Sequence, residues 1–301
     1  MGRTPLRPDW IALDWGTTHV RAWAMTAGGD VLANTHSASG MGTLGADGYA
    51  PALAALTEEW ELPQPCPVLA CGMVGARQGW VDAGYAAVPT APLSVPPVRV
   101  PDAPEQWNVR IVPGLSQTRP PDVMRGEETQ IAGFLSLNPK FDGTLCLPGS
   151  HTKWVQISAG EVVSFQTSMT GEFYAALSKH TVLRHSIGTG WDDTAFTEAV
   201  SDGLSRPEAL AARAFQIRAD ALLNGMDEAT AAARLSGLLI GSELAHARPY
   251  WLGMPVAIIG APQLAARYAA ALEAQGVSPI IARADACTLA GLKAAYAAWK
   301  E

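Results

Sequence analysis

The stretch IALDWGTTHVRAWAMTAGGDVLAN, from Ile11 to Asn34, decides the fold of this protein. Three segments, Ile11–Leu13, His19–Met25 and Val31–Ser37, have the apolar runs or alternation typical of β-strands, and the turns between them are short. The stretch therefore predicts an antiparallel meander. Its first turn, Asp14–Thr18, contains an acid, a glycine and two threonines, which is more polar chemistry than a plain hairpin needs.

This first turn has two interpretations. A carboxylate at the end of an apolar strand is costly to bury unless water, a metal ion or a donor lies beside it. Asp14 could hold Mg²⁺ through water while Gly16, Thr17 and Thr18 present amides and hydroxyls to phosphate oxygens. In the alternative, Asp14 only bonds its own backbone in an Asx-type turn.

A second meander repeats the order of the first between Gly143 and Thr170. Its predicted turn, Pro148–Lys153, again offers amides, hydroxyls and a cation, at Gly149, Ser150, His151, Thr152 and Lys153. Pro148 stands where the first turn has its acid, so the metal's carboxylate would come from the first half. The repeat predicts two similar halves whose turns face each other over one nucleotide. Ordinary surface polarity is the alternative explanation for His151 and Lys153.

The remaining segments predict an α/β protein. A helix is expected over Tyr49–Trp60, a strand and glycine-rich loop over Val68–Gly75, and irregular hairpins over Ala83–Pro121. Further expected helices and strand–turn–helix units are Gly171–Val182, Pro207–Leu223, Asp227–Ala247 and Met254–Gly276, followed by a last short strand and helix. Trp10, Trp15 and Trp23 are expected in the core.

Composition limits the class of protein. The 301 residues are 48% hydrophobic with a net charge of −7, which is typical of a soluble globular protein and argues against a general nucleic-acid binder. The start of the chain has no apolar signal region, and no apolar run reaches the roughly 20 residues that span a bilayer. Four scattered cysteines indicate buried, reduced thiols. We expect a cytoplasmic protein with no membrane or nucleic-acid partner.

Two motifs offer catalytic or binding side chains. In MRGEETQIAGFL, Glu127 and Glu128 open a predicted helix, where acids are favoured by the helix dipole but can also serve as a general base. In CGMVGARQGW, Arg77 can bind a carboxylate, and Gln78 and Trp80 can bond and stack on a polar ligand. An ordinary surface loop is the alternative for the second motif.

The segment GMGTLG, Gly40–Gly45, matches the dinucleotide-binding pattern in letters only. The strand before it is the third of a meander, and the next strand ends at Cys71–Gly72 without an acid for a ribose. We therefore reject a dinucleotide fold. His180 and His185 lack metal spacing and are expected to be structural or exposed.

Six motifs together resemble the 2-dehydro-3-deoxygalactonokinase family of the sugar-kinase, Hsp70 and actin superfamily. They are LDWGTTHVRAW, ASGMG, CGMVGARQGW, MRGEETQIAGF, LPGSHTKWV and MTGEFYAAL, and they follow the same order over nearly the whole chain. The resemblance implies two ribonuclease-H-like domains with mixed sheets flanked by helices, over residues 1–122 and 123–301. The last helix could pack back on the N-terminal half. ATP and Mg²⁺ would occupy the cleft between the domains.

The same resemblance implies residue roles. Asp14, Gly16, Thr17 and Thr18 would form the first phosphate motif, and Gly149, Ser150, His151, Thr152 and Lys153 the second. Gly260 and Ala261 would lie near the base or ribose. The sugar acid would contact Arg21, Gly40, Met41, Gly42, Arg77, Gln78 and Trp80, with Arg77 on its carboxylate. The reaction implied is transfer of the γ-phosphoryl group of ATP to the 6-hydroxyl of 2-dehydro-3-deoxy-D-galactonate.

The base departs from the pattern of many sugar kinases, which use an aspartate before the second phosphate motif. Glu127 and Glu128 stand there instead, as in the exopolyphosphatase branch, and we favour Glu128. An exopolyphosphatase-like phosphohydrolase and a kinase of another 2-keto-3-deoxy sugar acid therefore stay open as alternatives. A sugar-sensing repressor would need a DNA-binding module, for which the ten residues before Ile11 leave no space. The oligomeric state is open, with a homodimer considered.

Overall fold

The computed structural model describes residues 6–300 and has an α/β fold. Contacts divide the described chain into two compact units. The first unit comprises residues 6–141, 159–163 and 284–300, and the second comprises Asp142–Ser158 and Ser164–Arg283. Residues 123–141, which the sequence prediction assigned to the second domain, group by contacts with the first unit, as does the last helix. The predicted boundary at residue 122 stays a prediction.

Fourteen strands form within residues 6–300. They are β1 (Trp10–Trp15), β2 (Val20–Met25), β3 (Val31–Ser37), β4 (Cys66–Cys71), β5 (Tyr85–Ala87), β6 (Val98–Arg99), β7 (Trp107–Ile111), β8 (Gly114–Thr118), β9 (Pro121–Met124), β10 (Gly143–Leu147), β11 (Thr152–Ser158), β12 (Glu161–Ser168), β13 (Val256–Gly260) and β14 (Ile280–Arg283).

Nine α-helices form within the same residues. They are α1 (Tyr49–Leu56), α2 (Glu127–Leu137), α3 (Thr170–His180), α4 (Asp193–Ser205), α5 (Leu210–Leu223), α6 (Glu228–His246), α7 (Arg248–Trp251), α8 (Pro262–Glu273) and α9 (Ala284–Lys300). No helix of the described residues is long and apolar enough to cross a membrane.

The two large sheets share one topology, which confirms the predicted repeat. The first has the order β3-β2-β1-β4-β7-β6, and the second has the order β12-β11-β10-β13-β14. In each, an antiparallel meander is followed by a strand parallel to its first member, β4 beside β1 and β13 beside β10. These central strands are almost entirely buried because helices or loops cover both faces. A separate three-stranded sheet, β5-β8-β9, lies in the first unit.

In both meanders, the first turn is shorter than the sequence predicted, because residues assigned to the turn belong to a strand. β1 continues through Asp14 to Trp15, so Asp14 is a strand residue paired with Arg21 of β2 rather than part of the turn. The turn closes where the amide of Gly16 donates to His19 O, 2.9 Å away. In the second meander, Thr152 and Lys153 open β11 instead of ending the turn. Asp14 can stay in the ladder because the opposing Arg21 pairs with its carboxylate.

Strand β7 and helices α4 and α7 were not predicted. The segment Ala83–Pro121 was expected to form irregular hairpins, yet it contains β7, which is parallel to β4 in the main sheet. The residues of β7 alternate between buried and half-buried, but a five-residue segment between proline-rich pieces is too short a pattern to predict a strand. Helix α4 was also missed, although it packs along α6. The expected helix Tyr49–Trp60 ends at Leu56.

The cores are as expected where the sequence made a prediction. Trp10 and Trp15 are 1% and 0% exposed, and Trp23 is 9% exposed. The four cysteines are free and buried. Predicted elements from Val31 to Ser37 and from Asp227 to Ala247 agree closely with β3 and α6, whose Asp227 caps the helix by accepting from backbone amides.

Helices α4 and α6 of the second unit meet backbone to backbone. A Cβ built on Gly241 would lie 2.2 Å from Val200 O, and one on Gly237 would lie 2.5 Å from Phe196 O. Such distances leave no room for even a methyl group, so these glycines set the spacing of the two helices.

We predict that Gly241→Ala destabilises the protein by about 1–3 kcal/mol, because the methyl group overpacks the helix contact. This loss should exceed the roughly 1 kcal/mol that alanine gains over glycine in helix propensity. Urea unfolding measures the free energy, and Ser201→Ala on the exposed side of α4 is the control. Equal stability of both variants would show that the helices do not touch as described.

Candidate functional site

The first turn of the first unit presents its polar groups outward. The hydrogen bond from Gly16 N to His19 O closes the turn, and Thr17 and Thr18 between them are exposed. Exposed threonine hydroxyls beside a glycine in a tight turn are groups of the kind that bind phosphate oxygens.

The loop of Gly40, Met41 and Gly42 packs directly on this turn. The amide of Met41 donates to Gly16 O at 2.9 Å, and the amide of Gly42 donates to Thr17 O at 2.8 Å. A Cβ built on Gly40 would lie 2.4 Å from Thr17 O, so only glycine allows this approach. The structure therefore brings together two segments that the sequence singled out separately.

Asp14 and Arg21 form an ion pair across the β1–β2 ladder. Arg21 was predicted to contact the sugar acid, and the structure places its Nη2 on Asp14 Oδ2, with the guanidinium 5.6 Å from the centre of the Trp23 ring. The other oxygen, Asp14 Oδ1, lies beside Gly72, where a built Cβ would be 3.5 Å away. A carboxylate oxygen is the kind of ligand that fits Mg²⁺, which keeps several of its waters.

Within residues 6–300, no group of three or more histidine, cysteine, aspartate or glutamate side chains could hold a metal ion.

Glu128 is fully buried at the start of α2. Its Oε2 accepts a hydrogen bond from the amide of Gly126 at 2.6 Å, and its Oε1 accepts one from the Thr129 hydroxyl at 2.9 Å. Burial, with a smaller contribution from the charge of Glu127, raises the pKa of Glu128 to about 8. Glu127 is half-buried and accepts from the amide of Arg125 at 3.0 Å.

Gly72 links Asp14 to the start of α2. A Cβ built on Gly126 would lie 3.3 Å from Gly72 Cα, and Gly72 itself adjoins Asp14 Oδ1. Both acids act on the thiol of Cys71. Burial is the largest cause that raises the pKa of this thiol well above its usual range, and the charges of Asp14 and Glu128 raise it further. Two carboxyl groups more than a hundred residues apart therefore flank one short segment, which the sequence could not show.

The predicted substrate loop has one fixed aromatic side chain. Trp80 stacks on Tyr49 with ring centres 5.7 Å apart and meets Trp15 edge-on at 5.9 Å. Arg77 and Gln78 are exposed. The loop thus combines an aromatic ring held in place with an accessible guanidinium and an accessible amide.

Arg125 is a cation that the sequence analysis did not single out. It is 8% exposed, its Nη2 donates to Gly84 O at 2.9 Å, and its guanidinium lies 4.3 Å from the centre of the Tyr85 ring. Its Nε and Nη1 have no hydrogen-bond partner among the described residues. In the sequence, Arg125 is marked only by its place in the MRGEE motif, because the residue type does not distinguish a buried arginine from an exposed one.

In the second unit, helix α3 begins on the second predicted phosphate turn. A Cβ built on Gly171 would lie 2.3 Å from Gly149 O, and the amide of Glu172 donates to Ser150 O at 3.0 Å. The exposed His151 pairs with the carboxylate of Glu172 at 2.6 Å. Lys153 is 4% exposed, so surface polarity does not explain it.

A pocket of the second unit opens beside this turn. It is lined by Gly149, Thr170, Gly171, Tyr174, Ser236, Leu239, Ile240, Leu264, Arg267 and Tyr268. The predicted adenosine residues Gly260 and Ala261 end β13 and cap α8, one turn before the pocket-lining Leu264. Apolar side chains, two tyrosine rings and a guanidinium line this cavity of about 80 Å³.

The comparisons with known proteins identify the family of the chain. The family model of 2-keto-3-deoxy-galactonokinase matches residues 14–295. The chain is 39% identical to a protein named probable 2-dehydro-3-deoxygalactonokinase from Rhizobium meliloti (strain 1021), over 95% of this chain and 96% of that protein. It is 34% identical to the 2-dehydro-3-deoxygalactonokinase of Escherichia coli (strain K12), over 94% and 96%.

A solved structure extends the similarity to three dimensions. The crystal structure of a 2-dehydro-3-deoxygalactonokinase homologue from Sinorhizobium meliloti superimposes with a TM-score of 0.89 at 38% identity, covering 96% of this chain and 98% of that one. The chain thus has the fold of this 2-dehydro-3-deoxygalactonokinase homologue. The chain belongs to the 2-keto-3-deoxy-galactonokinase family.

The raised pKa of Glu128 gives a prediction for stability. Between its ordinary pKa of 4.5 and about 8, the folded protein keeps this group protonated while the unfolded chain ionises it. The folded state therefore binds more protons, and its stability falls as the pH rises through this window, by up to about 1.4 kcal/mol per pH unit. Glu128→Gln removes this dependence, so the variant should gain stability over the wild type from pH 5 to pH 8.

Chemical unfolding at several pH values measures this difference. Ser136→Ala on the same helix changes no titratable group, and its stability should follow the wild-type curve. A constant difference between Glu128→Gln and the wild type over pH 5–8 would contradict the burial of this carboxyl group.

Proposed function

We propose that this chain transfers the γ-phosphoryl group of ATP to the 6-hydroxyl of 2-dehydro-3-deoxy-D-galactonate, giving the 6-phosphate in galactonate breakdown. The family match over residues 14–295, with relatives 34% and 39% identical over nearly their whole length, carries this proposal. A kinase of this kind is a phosphotransferase with an alcohol acceptor. Its need for ATP and for a catabolic intermediate assigns it to the cytoplasm.

The nucleotide is proposed to bind in the second unit. Leu239, Ile240 and Leu264 offer apolar surface to a base, and Arg267 and Tyr268 add planar groups. The turn at Gly149 and Ser150, with the start of α3 packed on it, would receive phosphate oxygens. In the first unit, the same role is proposed for Gly16, Thr17 and Thr18.

Asp14 is proposed to hold Mg²⁺ through water by the oxygen that faces Gly72. The ion, when bound, would neutralise charge on the phosphates. Arg21 would orient Asp14, because its Nη2 pairs with the other carboxylate oxygen. In this proposal the residues of the chain would position the ion, and the ion would supply the positive charge beside the phosphates.

Glu128 is proposed as the general base for the 6-hydroxyl. A base works best when its pKa lies near the working pH, and the pKa of about 8 meets that condition. The hydrogen bond from Gly126 N fixes one carboxylate oxygen. Glu127 is the second candidate, since it is the more exposed of the two carboxylates.

The sugar acid is proposed to bind in the first unit. Arg77 would pair with its carboxylate, and Gly40, Met41 and Gly42 would lie near its hydroxyls. Trp80 would present a ring whose position is set by Tyr49. Because the loop at Gly40 is bonded to the first phosphate turn, binding of the sugar acid and of phosphate would be mechanically connected.

The test of function is a coupled ADP-release assay over a panel of 2-keto-3-deoxy sugar acids. We expect turnover that depends strictly on the sugar acid and is fastest with 2-dehydro-3-deoxy-D-galactonate. Glu128→Gln should lower turnover by roughly 10²–10⁴-fold, the usual contribution of a general base. Phosphate release without any sugar acid would indicate a phosphohydrolase instead, and no activity on any member would refute the kinase. Unchanged turnover in Glu128→Gln would reject the base and direct attention to Glu127→Gln.

Arg77→Ala should raise the KM for the sugar acid about tenfold or more while leaving the KM for ATP unchanged, because it removes a charge-assisted hydrogen bond to the carboxylate. Steady-state kinetics with each substrate varied in turn measures both constants. Arg119→Ala removes the same charge from another exposed site in the first unit and serves as the control. Equal increases in both KM values would argue against contact with the carboxylate.

A further inference from the structure

We propose that Glu243 is a positioning residue of the nucleotide pocket, and that its single carboxyl group holds α3 and α8, two of the elements that line the pocket, against β11. The residue lies on α6 and is 5% exposed. It does not line the pocket itself, and neither the motifs nor the family resemblance singled it out. The inference deepens the proposed function and rests on the second unit's pocket being the ATP site.

The carboxylate of Glu243 accepts three hydrogen bonds from three different elements. The indole Nε1 of Trp154, on β11, donates to Oε1 at 2.7 Å. The hydroxyl of Tyr268, on α8, donates to Oε2 at 2.8 Å, and the hydroxyl of Thr170, at the start of α3, donates to the same oxygen. The indole N–H of Trp154 can only donate, and the hydroxyls of Tyr268 and Thr170 both direct their hydrogens to Oε2.

A fourth side chain is ordered indirectly. The hydroxyls of Thr152 and Tyr268 lie 2.8 Å apart, and either atom could donate by distance alone. Since Tyr268 gives its hydrogen to Glu243, the hydroxyl of Thr152 must donate to Tyr268. The carboxylate thus sets the direction of the whole chain of hydrogen bonds. Thr152 was predicted as a nucleotide ligand, whereas its side chain is fully buried in this network.

These bonds reach the pocket through short connections. Thr170 and Tyr268 both line it. Thr170 is followed by Gly171, whose backbone touches Gly149 of the phosphate turn so closely that a built Cβ would lie 2.3 Å from Gly149 O. A shift of α3 would therefore displace the turn, and a shift of α8 would displace the opposite wall. Loss of the carboxylate should widen and loosen the pocket.

The experiment compares nucleotide binding and kinetics for Glu243→Gln and Glu243→Leu with the wild type. Isothermal titration with ATP measures affinity without turnover. We expect Glu243→Leu to weaken ATP binding about tenfold or more, because three buried hydrogen bonds are lost together. The KM for ATP should rise in parallel, while the KM for the sugar acid stays unchanged. Glu243→Gln should recover part of the affinity, since its amide oxygen can still accept from Trp154.

Trp251→Phe is the matched control. The indole of Trp251 donates to Leu244 O at 2.8 Å in the same buried core, but the residue does not line the pocket. This variant should lose stability and keep its affinity for ATP. If Glu243→Leu does not fold, the ATP affinities of Tyr268→Phe and Thr170→Val test the proposal instead. Each of these variants removes one hydrogen-bond donor to Glu243 and leaves the packing nearly intact.

The outcomes separate this inference from the proposed function. Wild-type affinity for ATP in folded Glu243→Leu, or in both Tyr268→Phe and Thr170→Val, would overturn the role of Glu243. Equal increases in the KM of ATP and of the sugar acid would overturn it too, because they would indicate a general loss of structure. A wild-type protein that bound no ATP would overturn the proposed function and, with it, the role assigned to Glu243.

Discussion

Burial of carboxyl groups constrains both units of this protein. Glu128 in the first unit and Glu243 in the second are 0% and 5% exposed, and burial raises the pKa of each. A carboxyl group withdrawn from water is stable only if hydrogen-bond partners meet it in fixed positions. The amide of Gly126 and the hydroxyl of Thr129 do this for Glu128, and three side-chain donors do it for Glu243. The elements that carry these donors are therefore fixed relative to their carboxyl group within each unit.

Close backbone contact acts together with these buried acids. Gly72 stands between Asp14 and the start of α2, and Gly171 places α3 directly on the turn at Gly149. Helix α2 is held from behind by α9, where a Cβ on Gly291 would lie 1.9 Å from Thr129 O. Side chains at such contacts would separate segments whose spacing the proposed chemistry requires. The buried carboxyl groups and the glycine contacts together fix the positions of the backbone amides and hydroxyls that we expect to contact phosphate and sugar groups.

The sequence predicted the fold more completely than the site. Each meander was visible because three alternating segments with short turns leave few other structures, and the repeated order predicted the shared sheet topology. The errors fall where local pattern conflicts with distant partners. Asp14 looked like a turn residue, but Arg21 across the ladder satisfies it within the strand. Strand β7 was too short to recognise, and α4 was missed although α6, against which it packs, was predicted. Thr152 and Lys153 looked like turn ligands and are buried strand residues.

By itself, the sequence determined the two repeated meanders, the order of the six motifs, and hence the family. These features depend on residue types and on spacing between near neighbours, which a chain displays without folding. Tertiary structure decided which of two adjacent glutamates is buried, that Gly72 joins Asp14 to α2, that Arg125 is a buried cation, and that Glu243 collects three donors. Each of these facts depends on segments tens or hundreds of residues apart in the chain. Burial and hydrogen bonding are properties of the packed neighbourhood, so a glutamate in a sequence carries no mark of the groups that will surround it.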